Sequence, residues 1–127
     1  MKPKPDSKVV EWINREESAV LFITSITIAE ISYGLNALPE GFRRGELEKI
    51  FNKAILLAFE DRILSFDEPA AHIYGKIMGD CKRLGNPMGV PDGEIAAIAQ
   101  LHSATIATRN VRDFKNCGVD LINPFAL

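Results

Sequence analysis

The stretch VPDGEIAAIAQ, at residues 90–100, opens with a proline and an acid and continues into an alanine-rich apolar run. Ile95, Ile98, Ala99 and His102 recur at helical spacing, so the stretch predicts a helix with one buried face. Small alanines on that face allow a helix to lie close to a sheet. Asp92 precedes the apolar run and is predicted to be the N-cap, because its side-chain oxygen can accept a free backbone N–H. Taken alone, Asp92 is interpreted as a plain cap.

The composition predicts a single domain over residues 1–127, long enough for a genuine core. Hydrophobic content of 46% and charged content of 25% are ordinary for a soluble globular protein. Because the net charge is −2, a nucleic acid would have to meet a local basic patch or metal ions. Cys81 and Cys117 make no disulfide framework, and no signal core or membrane-length apolar run occurs. These features predict a cytoplasmic protein with reduced thiols and no membrane contact.

Short apolar runs alternate with amphipathic stretches, which predicts an α/β fold with a parallel sheet covered by helices. The predicted strands span residues 19–24, 62–66, 104–108 and 119–122. The predicted helices run from a cap at residue 6 or 7 to about 16, from 25 to the break at 38–41, from 43 to 60, from 68 to about 84, and onward from the cap at Asp92. Ser25 or Thr27 is predicted to cap the second helix and Asp67 the fourth. Apolar spacing predicts that Leu47, Ile50, Phe51, Ala54, Ile55 and Ala58 are buried in the third helix, and Ala71, Tyr74, Ile77, Met78 and Cys81 in the fourth.

Four polar side chains are expected to meet at one edge of this sheet. Glu30 follows the first predicted strand, and Asp92 opens the helix that leads into the third strand. Asn110 and Asp113 follow that third strand. In open α/β sheets, ligands bind at the carboxyl ends of the strands. Glu30 alone is equally consistent with an ordinary solvated helix residue.

A cluster of carboxylates of this kind needs a cation, because like charges raise one another's pKa. Oxygen ligands without cysteine or histidine suit Mg²⁺ or Mn²⁺ rather than zinc. Such a site can activate water and neutralise a phosphodiester during an in-line attack. Spacing alone does not choose between this site and a set of unrelated caps and surface acids.

Three segments extend the pattern: ITSITIAEISYG at residues 23–34, VPDGEIAAIA at 90–99 and ATRNVRDF at 107–114. In content, order and separation they resemble the PIN-domain ribonucleases, specifically the VapC-type toxins of bacterial toxin–antitoxin pairs and their FitB-like relatives. Each segment alone is a weak signal, but together they are specific. The resemblance covers essentially the entire chain.

The resemblance implies a three-layer α/β/α fold with a central parallel sheet and a metal-dependent endoribonuclease activity on RNA. It also implies a homodimer held inactive by a small antitoxin protein in a hetero-oligomer. Glu30 and Asp92 correspond to two of the family's acidic residues around Mg²⁺ or Mn²⁺. Asn110 stands where many members have an acid. Asp113 is therefore the better carboxylate candidate, with Asn110 as a neutral oxygen ligand or a residue that orients water.

The start of the chain departs from the family pattern. Members begin with an apolar strand that ends in an Asp-Thr-Asn-like motif, whose Asp is a principal metal ligand, and KPKPD at residues 2–6 normally follows that motif. Asp6 is no substitute, because it lies in a proline-led helix cap. We therefore expect the family's first strand and first acid to be absent, which would expose apolar faces and strand edges. A start at an internal methionine or a truncation would explain the departure.

Three functions follow as hypotheses. The first is RNA cleavage, with Glu30, Asp92 and Asp113 around the metal ion. The second is a catalytically inactive PIN-like remnant that binds an antitoxin or dimerises. The third, a phosphotransfer or receiver-type domain, is disfavoured because the third strand ends in TRN at residues 108–110 rather than in a lysine. The candidates for phosphate contact are Arg43, Arg44, Lys82, Arg83, Arg109 and Arg112.

Overall fold

The computed structural model describes residues 22–108, 110–115 and 117–123, without the side chains of residues 55 and 56. Helices and short strands alternate along these residues. Their order is β1 (Ile23–Thr24), α1 (Ser25–Asn36), α2 (Phe42–Phe59), β2 (Ile63–Leu64), α3 (Glu68–Arg83), α4 (Val90–Leu101), β3 (Ile106–Ala107), a 3₁₀ helix (Val111–Phe114) and β4 (Leu121–Ile122). The predicted helix at residues 7–16, Asp6, Arg109 and residues 19–21 of the first predicted strand lie outside the described residues.

The described strands form two parallel ladders. Ile23 of β1 lies opposite Ile63 of β2, and Ile106 of β3 lies opposite Leu121 of β4. Helices connect the paired strands β1 and β2, so the predicted α/β class with parallel strands is confirmed. The described residues do not join the ladders into one sheet, because each strand bonds to a single neighbour and no described strand links β1 to β3.

Two helix N-termini show how the sequence sets the elements. The Thr27 N–H donates to Thr24 Oγ1 at 3.0 Å, so α1 is capped by Thr24 rather than by the predicted Ser25 or Thr27. The cap is earlier than predicted because the last strand residue itself supplies the hydroxyl. Asp67 caps α3 as predicted, since its Oδ1 accepts from the Ala70 N–H at 3.1 Å.

The core lies where α3 and α4 pack against β3 and the 3₁₀ helix. Its buried members are Ile77, Cys81, Ala96, Ala97, Ala99, Ile106, Phe114 and Cys117. Gly93 allows the two helices to lie close together, because a Cβ at this position would be 2.5 Å from Met78 Sδ and 3.1 Å from the Tyr74 ring. The predicted buried face of α4 is confirmed at Ile98 and Ala99, whereas Ile95 is half-buried. His102 is exposed, because the helix ends at Leu101 and His102 is its C-cap. In α3 the fully buried alanine is Ala70, and the predicted Ala71 is exposed.

The predicted buried face of α2 is largely wrong. Leu47 is buried, but Ile50 is 47% exposed, and Ala54 and Ala58 are also exposed. The reason is that, among the described elements, α2 packs mainly against α1. The apolar side chains of α2 therefore contact little of the part of the protein that the structure describes. None of the described helices is long and apolar enough to cross a membrane.

Candidate functional site

Asp92 lies in the first turn of α4. The helix begins at Val90 after Gly89, so Asp92 is its third residue, and the prediction that it is the N-cap is wrong. The helix starts earlier because Pro91 lacks an N–H and has a fixed φ, both of which suit the first turn. Gly89 makes no side-chain cap. The Asp92 carboxylate stands near the positive end of the helix dipole, where a negative charge is favoured.

Asp113 is held by the short 3₁₀ helix that follows β3. Its backbone N–H donates to the Asn110 carbonyl at 3.0 Å, and the Asn110 N–H donates to Thr108 Oγ1 at 3.0 Å. Phe114 is buried in the core while Asp113 is exposed. The buried ring therefore anchors the 3₁₀ helix and leaves the neighbouring carboxylate accessible.

Asp92 and Asp113 line one cavity of about 240 Å³. The rest of the lining comes from Cys81, residues 86–89, Arg112 and Lys115. Burial raises the pKa of Asp92, and the negative charge of Asp113 raises it further. The two carboxylates are thus close enough to act on each other electrostatically.

The other two predicted site residues lie outside this cavity lining. Glu30 is an exposed residue of α1. Asn110 is exposed and precedes the 3₁₀ helix that carries Asp113. Among the described residues, no group of three or more histidine, cysteine or acidic side chains is placed to hold a metal ion. The structure therefore brings together Asp92 and Asp113, and the roles of Glu30 and Asn110 stay predictions.

The pair of carboxylates fits a hard divalent cation. Mg²⁺ retains several waters and is commonly bound through one or two protein carboxylates, so two oxygen donors and an open cavity suit it. The raised pKa of Asp92 points the same way, because a cation favours the charged form that burial and Asp113 disfavour. Mn²⁺ prefers the same oxygen ligands.

Sequence reasoning singled out Asp92, Arg112 and Asp113 and missed the other six residues of the cavity lining, which are Cys81, Asn86, Pro87, Met88, Gly89 and Lys115. The GNP stretch at residues 85–87 predicts a turn, but nothing in it shows that the turn lies beside Asp92. Lys115 follows Asp113 by two positions, and that proximity was the available signal for a basic group at the acidic site.

Residues 2–119 match the family model described as PIN domain. This chain belongs to the PIN-domain family. The PIN domain is 37% identical to VapC ribonuclease Y4jK of Sinorhizobium fredii, over 98% of this chain and 89% of that protein. It is 36% identical to toxin FitB of Neisseria gonorrhoeae, over 98% and 90% of the two chains. These matches confirm the resemblance to VapC-type and FitB-like proteins.

The fold comparison agrees with the sequence comparison. A solved structure of FitAB bound to an IR36 DNA fragment matches this PIN domain with a TM-score of 0.86 at 36% identity. The match covers 99% of this chain and 88% of that one. The PIN-like α/β fold is therefore confirmed.

Proposed function

We propose that this PIN-domain protein is a Mg²⁺- or Mn²⁺-dependent endoribonuclease toxin that hydrolyses RNA phosphodiester bonds. The observation that carries the proposal is that Asp92 and Asp113, from two separate elements, line one open cavity. The similarity to proteins named VapC ribonuclease and toxin FitB supports the choice of reaction.

Asp92 and Asp113 would hold the ion, and Glu30 would contribute a third carboxylate from α1. The bound ion supplies positive charge for the phosphodiester and lowers the pKa of water. Asn110 would orient water or donate a neutral oxygen. Arg112 and Lys115 stand beside the acids in the cavity lining and would contact the RNA phosphates.

The toxin role implies a small antitoxin partner, a homodimer and a toxin–antitoxin hetero-oligomer in the cytoplasm. The match to the FitAB structure supports a partnered state. Exposed large apolar side chains on α2 support a protein interface, since Phe42 is 84% and Leu57 73% exposed. Cys81 and Cys117 are free thiols, in accord with a reducing compartment.

The second candidate function is a catalytically inactive PIN-like remnant that binds an antitoxin or dimerises. The observation that favours it is that the described residues offer two carboxylates in the cavity and no larger acidic group. The two functions differ in whether the folded chain cuts RNA.

The deciding experiment is RNA cleavage by the whole chain with Mg²⁺ or Mn²⁺, against an EDTA sample. Asp92→Ala tests the site, and Asp120→Ala is the matched control, because Asp120 is an exposed aspartate that does not line the cavity. Metal-dependent cleavage that Asp92→Ala abolishes and Asp120→Ala retains supports the nuclease. A folded chain that leaves RNA intact under all these conditions favours the inactive remnant.

A further inference from the structure

The cavity that holds Asp92 and Asp113 has a second wall, and this inference rests on the proposed nuclease function. The second wall is the turn between α3 and α4, at residues 84–89. Asn86, Pro87 and Met88 line it. The cavity therefore combines two acids, two cations and a wall that carries an amide and two apolar side chains.

The turn holds Asn86 in a fixed backbone position. Gly85 has a φ of +72°, a left-handed conformation that favours glycine. The Asn86 N–H donates to the Cys81 carbonyl at 2.9 Å, and the Gly85 N–H donates to the Lys82 carbonyl at 3.1 Å. These two bonds form a Schellman motif, which closes the C-terminus of α3 and orders the residue that follows the glycine.

The Asn86 side chain is exposed and makes no hydrogen bond to a described residue, so its amide is available to a ligand. An amide offers both a donor and an acceptor, the combination that pairs with the edge of a nucleobase. Met88 is half-buried against the core, and Pro87 is exposed beside it. Their apolar surfaces suit contact with the face of a base.

Within the part of the chain that the structure describes, the basic side chains of the cavity differ from several other basic side chains in having no ion-pair partner. Arg44 donates to Glu48, and Arg83 donates to Asp80. Neither Arg112 nor Lys115 forms an ion pair with any residue that the structure describes. Free cations at an acidic cavity are placed to bind the phosphates of a nucleic acid.

We propose that this cavity binds one unpaired nucleotide of an RNA strand, with Asn86 as the residue that selects its base. Met88 and Pro87 contact the base face, and Lys115 and Arg112 bind the adjacent phosphates. Sequence-specific RNA recognition acts on single-stranded bases that are splayed out and hydrogen-bonded along their edges. Asn86 sets the preference and Lys115 sets the overall affinity.

The test uses the whole chain in EDTA and four 3′-fluorescein hexaribonucleotides, of A, C, G or U alone, followed by fluorescence anisotropy. We expect one hexamer to bind at least threefold more tightly than the other three. Asn86→Ala removes this difference, whereas Asn52→Ala, at an exposed asparagine of α2, retains it. Lys115→Ala weakens all four by a similar factor and lowers the salt slope by about 1. Lys53→Ala, at an exposed lysine of α2, changes neither.

Equal binding of the four hexamers, or an Asn86→Ala chain with the same preference as Asn52→Ala, overturns the inference. A Lys115→Ala chain that binds like Lys53→Ala also overturns it. The proposed function fails separately, in the cleavage assay. A chain that cuts RNA without these binding effects retains the nuclease and loses the nucleotide cavity. A chain that shows the binding effects but cuts no RNA supports the cavity and overturns the nuclease.

Discussion

Asp92 and Asp113 meet across one cavity, and the pKa of Asp92 is raised by its burial and, to a smaller extent, by the charge of Asp113. The folded protein thus binds a proton at Asp92 more tightly than the unfolded chain does. Above the pKa of Asp92 in the folded protein, where the carboxyl is ionised, this difference works against folding. The proposed cation would remove this cost, because a positive charge favours the ionised form of Asp92.

Replacing Asp92 with Asn should raise the melting temperature at pH 7 in EDTA while abolishing RNA cleavage. The stability that a raised carboxyl pKa supplies is complete below the unfolded value of about 3.9 and is lost as the pH rises through the folded value. Asparagine has no carboxyl proton to lose, so the stability of Asp92→Asn does not fall with rising pH through this group. The gain should therefore shrink towards zero as the pH falls below about 4. Melting curves across this pH range measure it.

Asp120→Asn is the control for this measurement, because the exposed Asp120 does not line the cavity. A melting temperature for Asp92→Asn that stays below that of the unmodified chain at every pH would contradict the prediction.

Mg²⁺ or Mn²⁺ should raise the melting temperature in a concentration-dependent way. A ligand that binds only the folded state stabilises it by about 2.7 kcal/mol at a hundredfold excess over Kd. The shift should be strongly reduced in Asp113→Asn, which removes one of the two carboxylates, and EDTA should reverse it. Differential scanning fluorimetry gives the readout. An equal shift in the unmodified chain and in Asp113→Asn would place the cation elsewhere.

Gly93→Ala should destabilise the protein by about 1–3 kcal/mol, the usual cost of overpacking a core. The added Cβ would lie 2.5 Å from Met78 Sδ and 3.1 Å from the Tyr74 ring, so the side chains of Met78 and Tyr74 would have to shift where α3 packs on α4. Because Asp92 precedes Gly93, activity should fall as well. Urea unfolding measures the free energy of unfolding.

Gly75→Ala is the matched substitution for that experiment. Gly75 lies inside α3, and, apart from its chain neighbours and the backbone of its own helix, no atom of the described residues lies within 4 Å of the position its Cβ would take. Alanine should therefore stabilise the helix by about 0.5–1 kcal/mol. If both variants shift the unfolding free energy in the same direction, the packing argument is wrong.

Thr24→Ala should cost about 1 kcal/mol, the typical loss of an N-cap hydroxyl. Thr24 Oγ1 accepts from the Thr27 N–H and also lies 2.9 Å from Thr27 Oγ1. Ser25→Ala should change stability by less than about 0.5 kcal/mol, since Ser25 is not the cap. Circular dichroism during thermal unfolding compares the two. A larger loss of stability for Ser25→Ala than for Thr24→Ala would contradict this and indicate that Ser25 is the cap, as the sequence predicted.

The sequence could predict the elements whose signals are local. Asp67 and the proline two positions later mark the start of α3 through capping and first-turn chemistry, and the structure agrees. Asp92 looked like a similar cap, but Pro91 fits inside a first turn as well as before one. The N-cap is therefore Gly89, three residues before the predicted Asp92, and Asp92 is a residue of the first turn.

Burial and the cavity depend on contacts between distant segments, which spacing does not reveal. The apolar spacing of α2 predicted that Ile50 is buried, yet Ile50 is exposed because α1 is the main described packing partner of α2. Asp113 was expected near Asp92 from the order of strands and helices, and this pairing is found. Asn86 lies in the turn between α3 and α4, and Lys115 directly follows the 3₁₀ helix. Tertiary packing brings these two segments to one cavity, and the sequence pattern does not show that packing.

The cavity is lined by two separate segments of the chain, residues 81–92 and 112–115. Their separation in sequence affects the order in which the cavity forms during folding. One contiguous hairpin, formed by α3 and α4, contains Cys81, the 84–89 turn and Asp92. The two helices of this hairpin can pair after only a short loop has closed. Asp113 arrives only when β3 and Phe114 dock onto that hairpin. The hairpin should thus become protected from hydrogen exchange before the 3₁₀ helix does. Asp92 is then in place before Asp113, so the pair of carboxylates forms only when the 3₁₀ helix docks.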